Sequence, residues 1–227
     1  MDEAFGRRAA TVAALADPLR RALYRFVAEQ PGAVSRDQAA EGVEVPRHTA
    51  KFHLDRLVDE GLLVAEFRRL TGRTGPGAGR PAKLYRRARK EVSVSLPSRR
   101  YDLAGQVFAD AVERALAGEP MAAALDDAAD AAAHAVASSY DDSPSVPDVL
   151  SRLGYEPREE GGVRLRNCPY DRLAADHPDL VCSVNERFVT GLCAALGSAG
   201  RVTRAGAGPG ASGCCVRIDP EDPTTTP

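Results

Sequence analysis

Apolar residues recur at helical spacing from residue 17 onward. Asp17-Pro18 supplies an N-cap with proline at the first helical position, and Leu19, Leu23, Phe26 and Val27 repeat until Pro31-Gly32 stops the pattern. Ser35 caps a short segment, SRDQAAEGV, in which Gln38 completes a capping box. The next segment opens on Pro46. It sets Ala50, Leu54, Leu57, Val58 and Gly61 on one side of a helix and His48, Thr49, Phe52 and Arg56 on the other. The run LLVAEF then reads as a strand and Lys83 to Arg87 as a second one, joined by a loop rich in glycine, proline and arginine.

A hinge ending in Pro97 leads into two further helical patterns. Leu103, Val107, Phe108, Ala111, Val112, Ala115 and Leu116 form an apolar stripe in the first; the second, MAAALDDAADAAAHAVASSY, is alanine-rich, which favours helix and permits close backbone approach. Both read as a linker and pairing element, with cover for their own domain's core as the alternative. After the break DDSPSVPD come short strands at 154–157 and 163–166. A helix follows from Asp179 to Leu196 with Leu180, Val181, Val184, Phe188 and Leu192 at core spacing, and then a last strand from Cys214 to Ile218. These patterns divide the chain into 1–95, 96–142, 143–220 and a disordered tail at 221–227.

With 227 residues, 44% hydrophobic and 27% charged, the chain has the composition of a folded protein and not of a fibrous or disordered one. It lacks an apolar stretch of membrane-spanning length, and MDEAFGRR carries no signal-peptide core, so a cytoplasmic protein without a membrane partner is expected. The net charge of −2 hides an asymmetry: residues 1–100 hold 20 Lys+Arg against 12 Asp+Glu, and residues 101–227 hold 10 against 20. A front half at +8 attracts a polyanion, while a back half at −10 avoids it.

The string H-L-x-x-L-x-x-x-G-L at His53, Leu54, Leu57, Gly61 and Leu62, followed by a hairpin containing G-R-P-A-K-L-Y, resembles the winged helix-turn-helix repressors of the ArsR and related bacterial families over residues 8–90. The resemblance implies a double-stranded DNA partner and places the helix from Pro46 to Glu60 in the major groove. Arg47, His48, Thr49, Lys51 and Phe52 are the candidates there. His48 and Thr49 suit base edges, Phe52 a thymine methyl, and Arg47 or Lys51 guanine or phosphate. Arg56 reads as a phosphate or ion-pair residue and His53 as a packed or capping one. In the wing, Arg68, Arg69, Arg73, Arg80, Lys83, Arg86 and Arg87 are spaced to track a phosphate backbone. TGRTGPGAGR has neither the lysine-serine end of a P-loop nor a strand-to-helix setting for a dinucleotide.

No cysteine precedes Cys168; Cys182, Cys193, Cys214 and Cys215 follow. In a reducing compartment this set reads as metal ligation or redox chemistry, with inert buried thiols as the plain alternative. There is no CxxC knuckle. The segments N-C-P-Y, D-H-P-D-L-V-C and G-C-C-V-R-I are similar to the C-terminal domain of the SufR-like branch, over residues 145–218. That resemblance implies an iron-sulfur cluster, 4Fe-4S or 2Fe-2S, on Cys168, Cys182 and one of Cys214 and Cys215. Alternate strand residues point to opposite faces, so only one of the adjacent pair is expected to face the site. A structural zinc or a thiol-disulfide switch remains the alternative. Cys193, about 16 Å along the same helix from Cys182, reads as core. His177 is a conceivable fourth ligand or a cap. A cysteine enzyme pairing Cys168 with His177 is a remote third reading, since no orienting group or cleft is marked.

The fold class expected is therefore α+β: an N-terminal winged helix-turn-helix joined by dimerisation helices to a small α+β cysteine-rich domain. The function expected is a homodimeric DNA-binding repressor whose cluster tunes operator binding, not an enzyme and without a small-molecule substrate.

Overall fold

The computed structural model describes residues 3–69, 81–140, 144–204 and 213–220. Arg73 and Arg80 of the expected wing loop, and the expected tail 221–227, lie outside the described residues. The chain divides into two compact units, 1–94 and 95–227.

In the front unit α1 (Glu3–Ala13) runs through a single 3-10 turn (Ala14–Ala16) into α2 (Pro18–Glu29). Asp17 caps α2, its carboxylate accepting from the Arg20 backbone N–H at 2.8 Å, and Pro18 occupies the first helical position. Then come β1 (Val34–Ser35), α3 (Arg36–Gly42), α4 (Arg47–Asp59), β2 (Leu63–Arg68) and β3 (Ala82–Arg87). The capping box on α3 is closed in both directions: the Gln38 N–H donates to Ser35 Oγ at 3.2 Å, and the Ser35 N–H to Gln38 Oε1 at 2.8 Å. The strands form an antiparallel sheet in the order β1-β3-β2, with Val34 opposite Tyr85 and Leu63 opposite Arg87. Leu23 and Val27 of α2, Ala39 of α3, and Ala50, Leu54 and Leu57 of α4 fill the core with Leu63 and Tyr85. Two elements were not visible in the apolar spacing. Helix α1 is tied back where Thr11 Oγ1 donates to the Glu60 carbonyl at 3.2 Å, and β1 has too few residues to show any period.

The back unit contains α5 (Tyr101–Leu116), α6 (Met121–Ser138), α7 (Val146–Arg152), β4 (Pro157–Glu159), β5 (Val163–Leu165), α8 (Asp171–Asp176), α9 (Pro178–Ala195), β6 (Arg201–Arg204) and β7 (Val216–Asp219). Helices α5 and α6, expected as a linker and pairing element, pack on each other, and α6 packs on α9. Leu103, Val107 and Ala111 of α5 and Ala124, Ala128, Ala129 and Ala133 of α6 lie in this unit's own core. Tyr101, Val112, Leu116 and Met121 are the large apolar residues left exposed on α5 and α6. The α6 alanines let α9 come close: a Cβ added at Gly191 would stand 3.1 Å from Ala133 Cβ and 2.8 Å from Asp130 Oδ1.

A four-stranded antiparallel sheet, in the order β4-β5-β7-β6, lies beside α9. Three boundaries differ from the sequence reading. Strand β4 starts at Pro157 and not Gly154, because Tyr155 is fully buried and Glu156 takes a positive φ of 54°. The end of the stretch read as a break, from Val146, and its continuation form α7, with the Ser145 hydroxyl accepting from the Asp148 N–H at 3.3 Å. The last strand begins at Val216, so Cys214 and Cys215 precede it; β6 was not foreseen.

Candidate DNA-reading face and thiol site

Helix α4 keeps Ala50, Leu54 and Leu57 inside and turns Arg47, His48, Lys51, Phe52 and Arg56 to solvent, with Thr49 half-buried. Phe52 is 68% exposed, a poor place for an aromatic ring in an isolated monomer and a suitable one for contact with a partner. His48, Lys51, Phe52 and Arg56, together with Arg20 of α2, line a groove of 710 Å³. Two of the outward cations already have acidic neighbours: Arg47 pairs with Asp37 of α3, and Arg56 with Glu60 at 2.5 Å. His53 sits edge-on to Phe52, ring centroids 5.2 Å apart, with its Nδ1 buried and unpartnered among the described residues. It is a packed residue.

In the wing, Arg68, Arg69 and Arg87 are exposed, and Arg86 pairs with Glu66 at 3.5 Å. Lys83 is placed differently from the others. Its Nζ lies 2.6 Å from Asp55 Oδ1, and the buried Tyr85 hydroxyl donates to the same oxygen at 2.8 Å. Burial opposes ionisation of Asp55, but the hydrogen bonds from Lys83 and Tyr85 prevail and hold its carboxyl below the usual range. Strand β3 is thereby fastened to α4. Neither Asp55 nor Tyr85 was singled out from sequence; a carboxylate on the half-buried flank of α4, between Lys51 and Arg56, was the available signal.

Four of the five cysteines meet in the back unit. Cys168 follows β5, Cys182 is in the second turn of α9, and Cys214 and Cys215 come just before β7; all belong to or pack against one core. Asn167 anchors the first of them: its amide N–H groups donate to the carbonyls of Gly154 and Ser98, while its Oδ1 accepts from Arg99 at 2.6 Å. The thiols lie near enough to affect one another's protonation in a row, Cys168 with Cys214, Cys214 with Cys215, and Cys215 with Cys182. Cys214 and Cys215 lie ahead of β7, so strand alternation does not reach them, and Gly213 just before them takes a positive φ of 124°.

The contacts polarise the row. A hydrogen bond from Cys214 favours the thiolate of Cys168 against the opposing effect of burial. Contacts with Cys214 and Cys182 draw the Cys215 thiol down to about 6 against the effect of burial. Cys214 is pushed up by its contacts with Cys168 and Cys215, and burial raises Cys182 to about 12. As they stand, the sulfurs make a row and not a cage: among the described residues no group of three or more His, Cys, Asp or Glu side chains is arranged to hold a metal ion. Cys193 is buried on α9, its thiol raised to about 11 by burial. His177, which the remote enzyme reading pairs with Cys168, is exposed at the start of α9, and Cys168 is buried.

Behind the thiols lies a polar feature that the sequence reading missed. Asn185 of α9, 1% exposed, accepts from the Tyr155 hydroxyl at 2.6 Å and donates its amide N–H to Cys214 Sγ at 3.1 Å. Its signal was an asparagine in register with Val181, Phe188 and Leu192 on the apolar face of α9.

A family model described as a helix-turn-helix domain matches residues 15–65, a span from the 3-10 turn through α2, α3 and α4 into β2. Comparison with curated proteins and with solved structures gives no match. Among the described residues no helix is long and apolar enough to cross a membrane. The front unit is a helix-turn-helix domain, of the kind that DNA-binding transcription regulators carry.

Proposed function

We propose that the chain is a homodimeric DNA-binding repressor in which Cys168, Cys182, Cys214 and Cys215 bind an iron-sulfur cluster that tunes operator binding. The observation that carries this reading is the meeting of four cysteines from three separate segments in one core, in a chain whose other unit is a helix-turn-helix domain. Soft thiolate donors suit iron-sulfur clusters, and the thiolate bias at Cys168 and Cys215 supplies deprotonated ligands. When bound, such a cluster supplies a centre that changes charge or is lost on oxidation. The protein's own part is to offer α4 to the major groove and the arginines of β2 and β3 to phosphates, and to give the two thiol states different free energies of DNA binding. Exposed Val112, Leu116 and Met121 support self-association through α5 and α6.

Anaerobic purification with iron, sulfide and zinc analysis, followed by operator titration of cluster-loaded and cluster-free protein, tests the reading. Iron and sulfide in equal amounts with a difference in operator affinity are expected. A colourless protein holding zinc, or identical affinity in both states, overturns it. The contact of a low-lying Cys215 thiol with Cys182 and Cys214 favours one second reading, a thiol-disulfide switch on the same residues. A mass loss of two hydrogens per chain under mild oxidant, with no metal bound, selects it.

A further inference from the structure

Burial along β2 departs from the alternation of its side chains. In register with β3, Leu63 stands opposite Arg87, Ala65 opposite Tyr85 and Phe67 opposite Lys83, and residues directly opposite in an antiparallel pair share a face. That face is the inward one, since Leu63 and Tyr85 are each 1% exposed and belong to the core of the front unit. Phe67 continues the inward set, yet it is 67% exposed. The layer that covers Leu63 leaves it bare. Its cross-strand neighbour does not shield it either: Lys83 is drawn to α4, its Nζ 2.6 Å from Asp55 Oδ1 and 5.3 Å from the centre of the Tyr85 ring.

A single exposed apolar residue is ordinary on a protein surface. The surroundings of this one are not. Of the chain's six phenylalanines, the two left exposed are Phe52 and Phe67, and they flank the Asp55–Lys83 bond. Phe52 lies three residues before Asp55 on α4, and Phe67 is paired with Lys83. Next to Phe67 along the chain come Arg68 and Arg69, both exposed. A bare ring among cations, beside the outward face of α4, fits a polyanion that also has apolar faces. Duplex DNA is such a partner, with phosphates for the arginines and sugar and base faces for the ring. An apolar pocket on another protein fits less well, because closing over the ring would strip water from Arg68 and Arg69.

We infer that Phe67 is a DNA-contact residue, its ring lying against sugar or base faces of the duplex that α4 meets while the neighbouring arginines hold phosphates. The inference rests on the DNA-binding reading of the front unit and adds to it an apolar contact made by the sheet. An uncharged ring releases no counterions, so its share of the affinity is independent of salt. Packing on sugar or base faces reads no hydrogen-bond pattern, so the contact tolerates any sequence.

The chain has no tryptophan, so Phe67→Trp introduces a single indole reporter. In full-length protein titrated with mixed-sequence duplex DNA, its emission is expected to be quenched and protected from acrylamide. Val64→Trp, on the opposite face of the same strand, is expected to stay unchanged. A Phe67→Trp emission indifferent to saturating duplex overturns the inference, and so does an equal response from both reporters. By anisotropy with the same duplex, Phe67→Ala is expected to weaken binding roughly tenfold at an unchanged slope of log K against log salt, with Phe67→Leu recovering part of the loss. Arg68→Ala is expected to reduce the size of that slope by about 1. Parent affinity in Phe67→Ala sinks the inference and leaves binding by α4 standing. A loss accompanied by a smaller slope assigns the effect to disturbed phosphate contacts and also sinks it, as does a change in oligomer size by light scattering at parent affinity, which makes Phe67 a contact between copies. If Phe67→Ala fails to fold, the emission of Phe67→Trp decides alone. A parent that binds no duplex at low salt defeats the DNA-binding reading itself, and the contact falls with it.

Discussion

Lys83 Nζ and Asp55 Oδ1 stand 2.6 Å apart, which makes a strand of the wing and helix α4 one mechanical piece. The buried Tyr85 hydroxyl shares that oxygen, so an asparagine there keeps an acceptor but loses the charge that both donors bind. Asp55→Asn is expected to destabilise the front unit by about 1 kcal/mol, toward the low end for a charged hydrogen bond because the pair is one-third exposed. Because the folded carboxyl lies below its ordinary 3.8, its stabilisation is complete above that value and is lost as pH falls through the depressed one. Urea unfolding of the parent should therefore show stability falling below about pH 4, and Asp55→Asn should flatten that slope.

Exposed side chains on α4 separate binding from folding. Lys51→Ala and Phe52→Ala remove groups that support no core, so each is expected to leave stability within about 0.5 kcal/mol of the parent while weakening DNA binding by about 1–3 kcal/mol. Fluorescence anisotropy with labelled duplex, beside thermal unfolding, reads both. With roughly six to eight phosphates neutralised, log K should fall with log salt at a slope of about −5 to −7.

The front unit was legible because its local signals agree with its global packing. The caps at Asp17 and Ser35 and the apolar spacing of Leu23, Val27, Ala50, Leu54 and Leu57 each point to the helices that form. Contacts between elements were not legible. Lys83 resembled the wing's other cations until β3 brought it beside Asp55, a pairing 28 residues apart in sequence. In the back unit a two-residue period was read through Cys214 and Cys215, which lie ahead of the strand. The grouping of the four thiols depends on how α9, the end of β5 and the bend at Gly213 meet, and no periodicity encodes that.

Cys193 and the four clustered cysteines should behave differently. Cys193→Ser places a hydroxyl in an apolar site and is expected to cost about 1–3 kcal/mol of stability while leaving iron and sulfide content unchanged. Cys215→Ser should fold but lose iron. Metal content per chain after anaerobic reconstitution, paired with a melting curve, distinguishes the two.

Gly191→Ala tests the close approach of α6 and α9. Helix propensity alone favours alanine by about 1 kcal/mol, yet the added methyl meets Ala133 and the Asp130 carboxylate. The expected outcome is a net loss of about 1–3 kcal/mol, measured by denaturant unfolding. A gain in stability would show that the helices can move apart at no cost.

The bend before β7 has one more implication. The Cys214 backbone N–H donates to the Leu165 carbonyl at 2.8 Å, and a Cβ at Gly213 would come within 3.0 Å of that same oxygen. The latch that aims two sulfurs inward is thus also the zipper-stop of the β5-β7 ladder. Chemistry that tugs on either sulfur pulls on a seam in the middle of the sheet and not on a dangling loop.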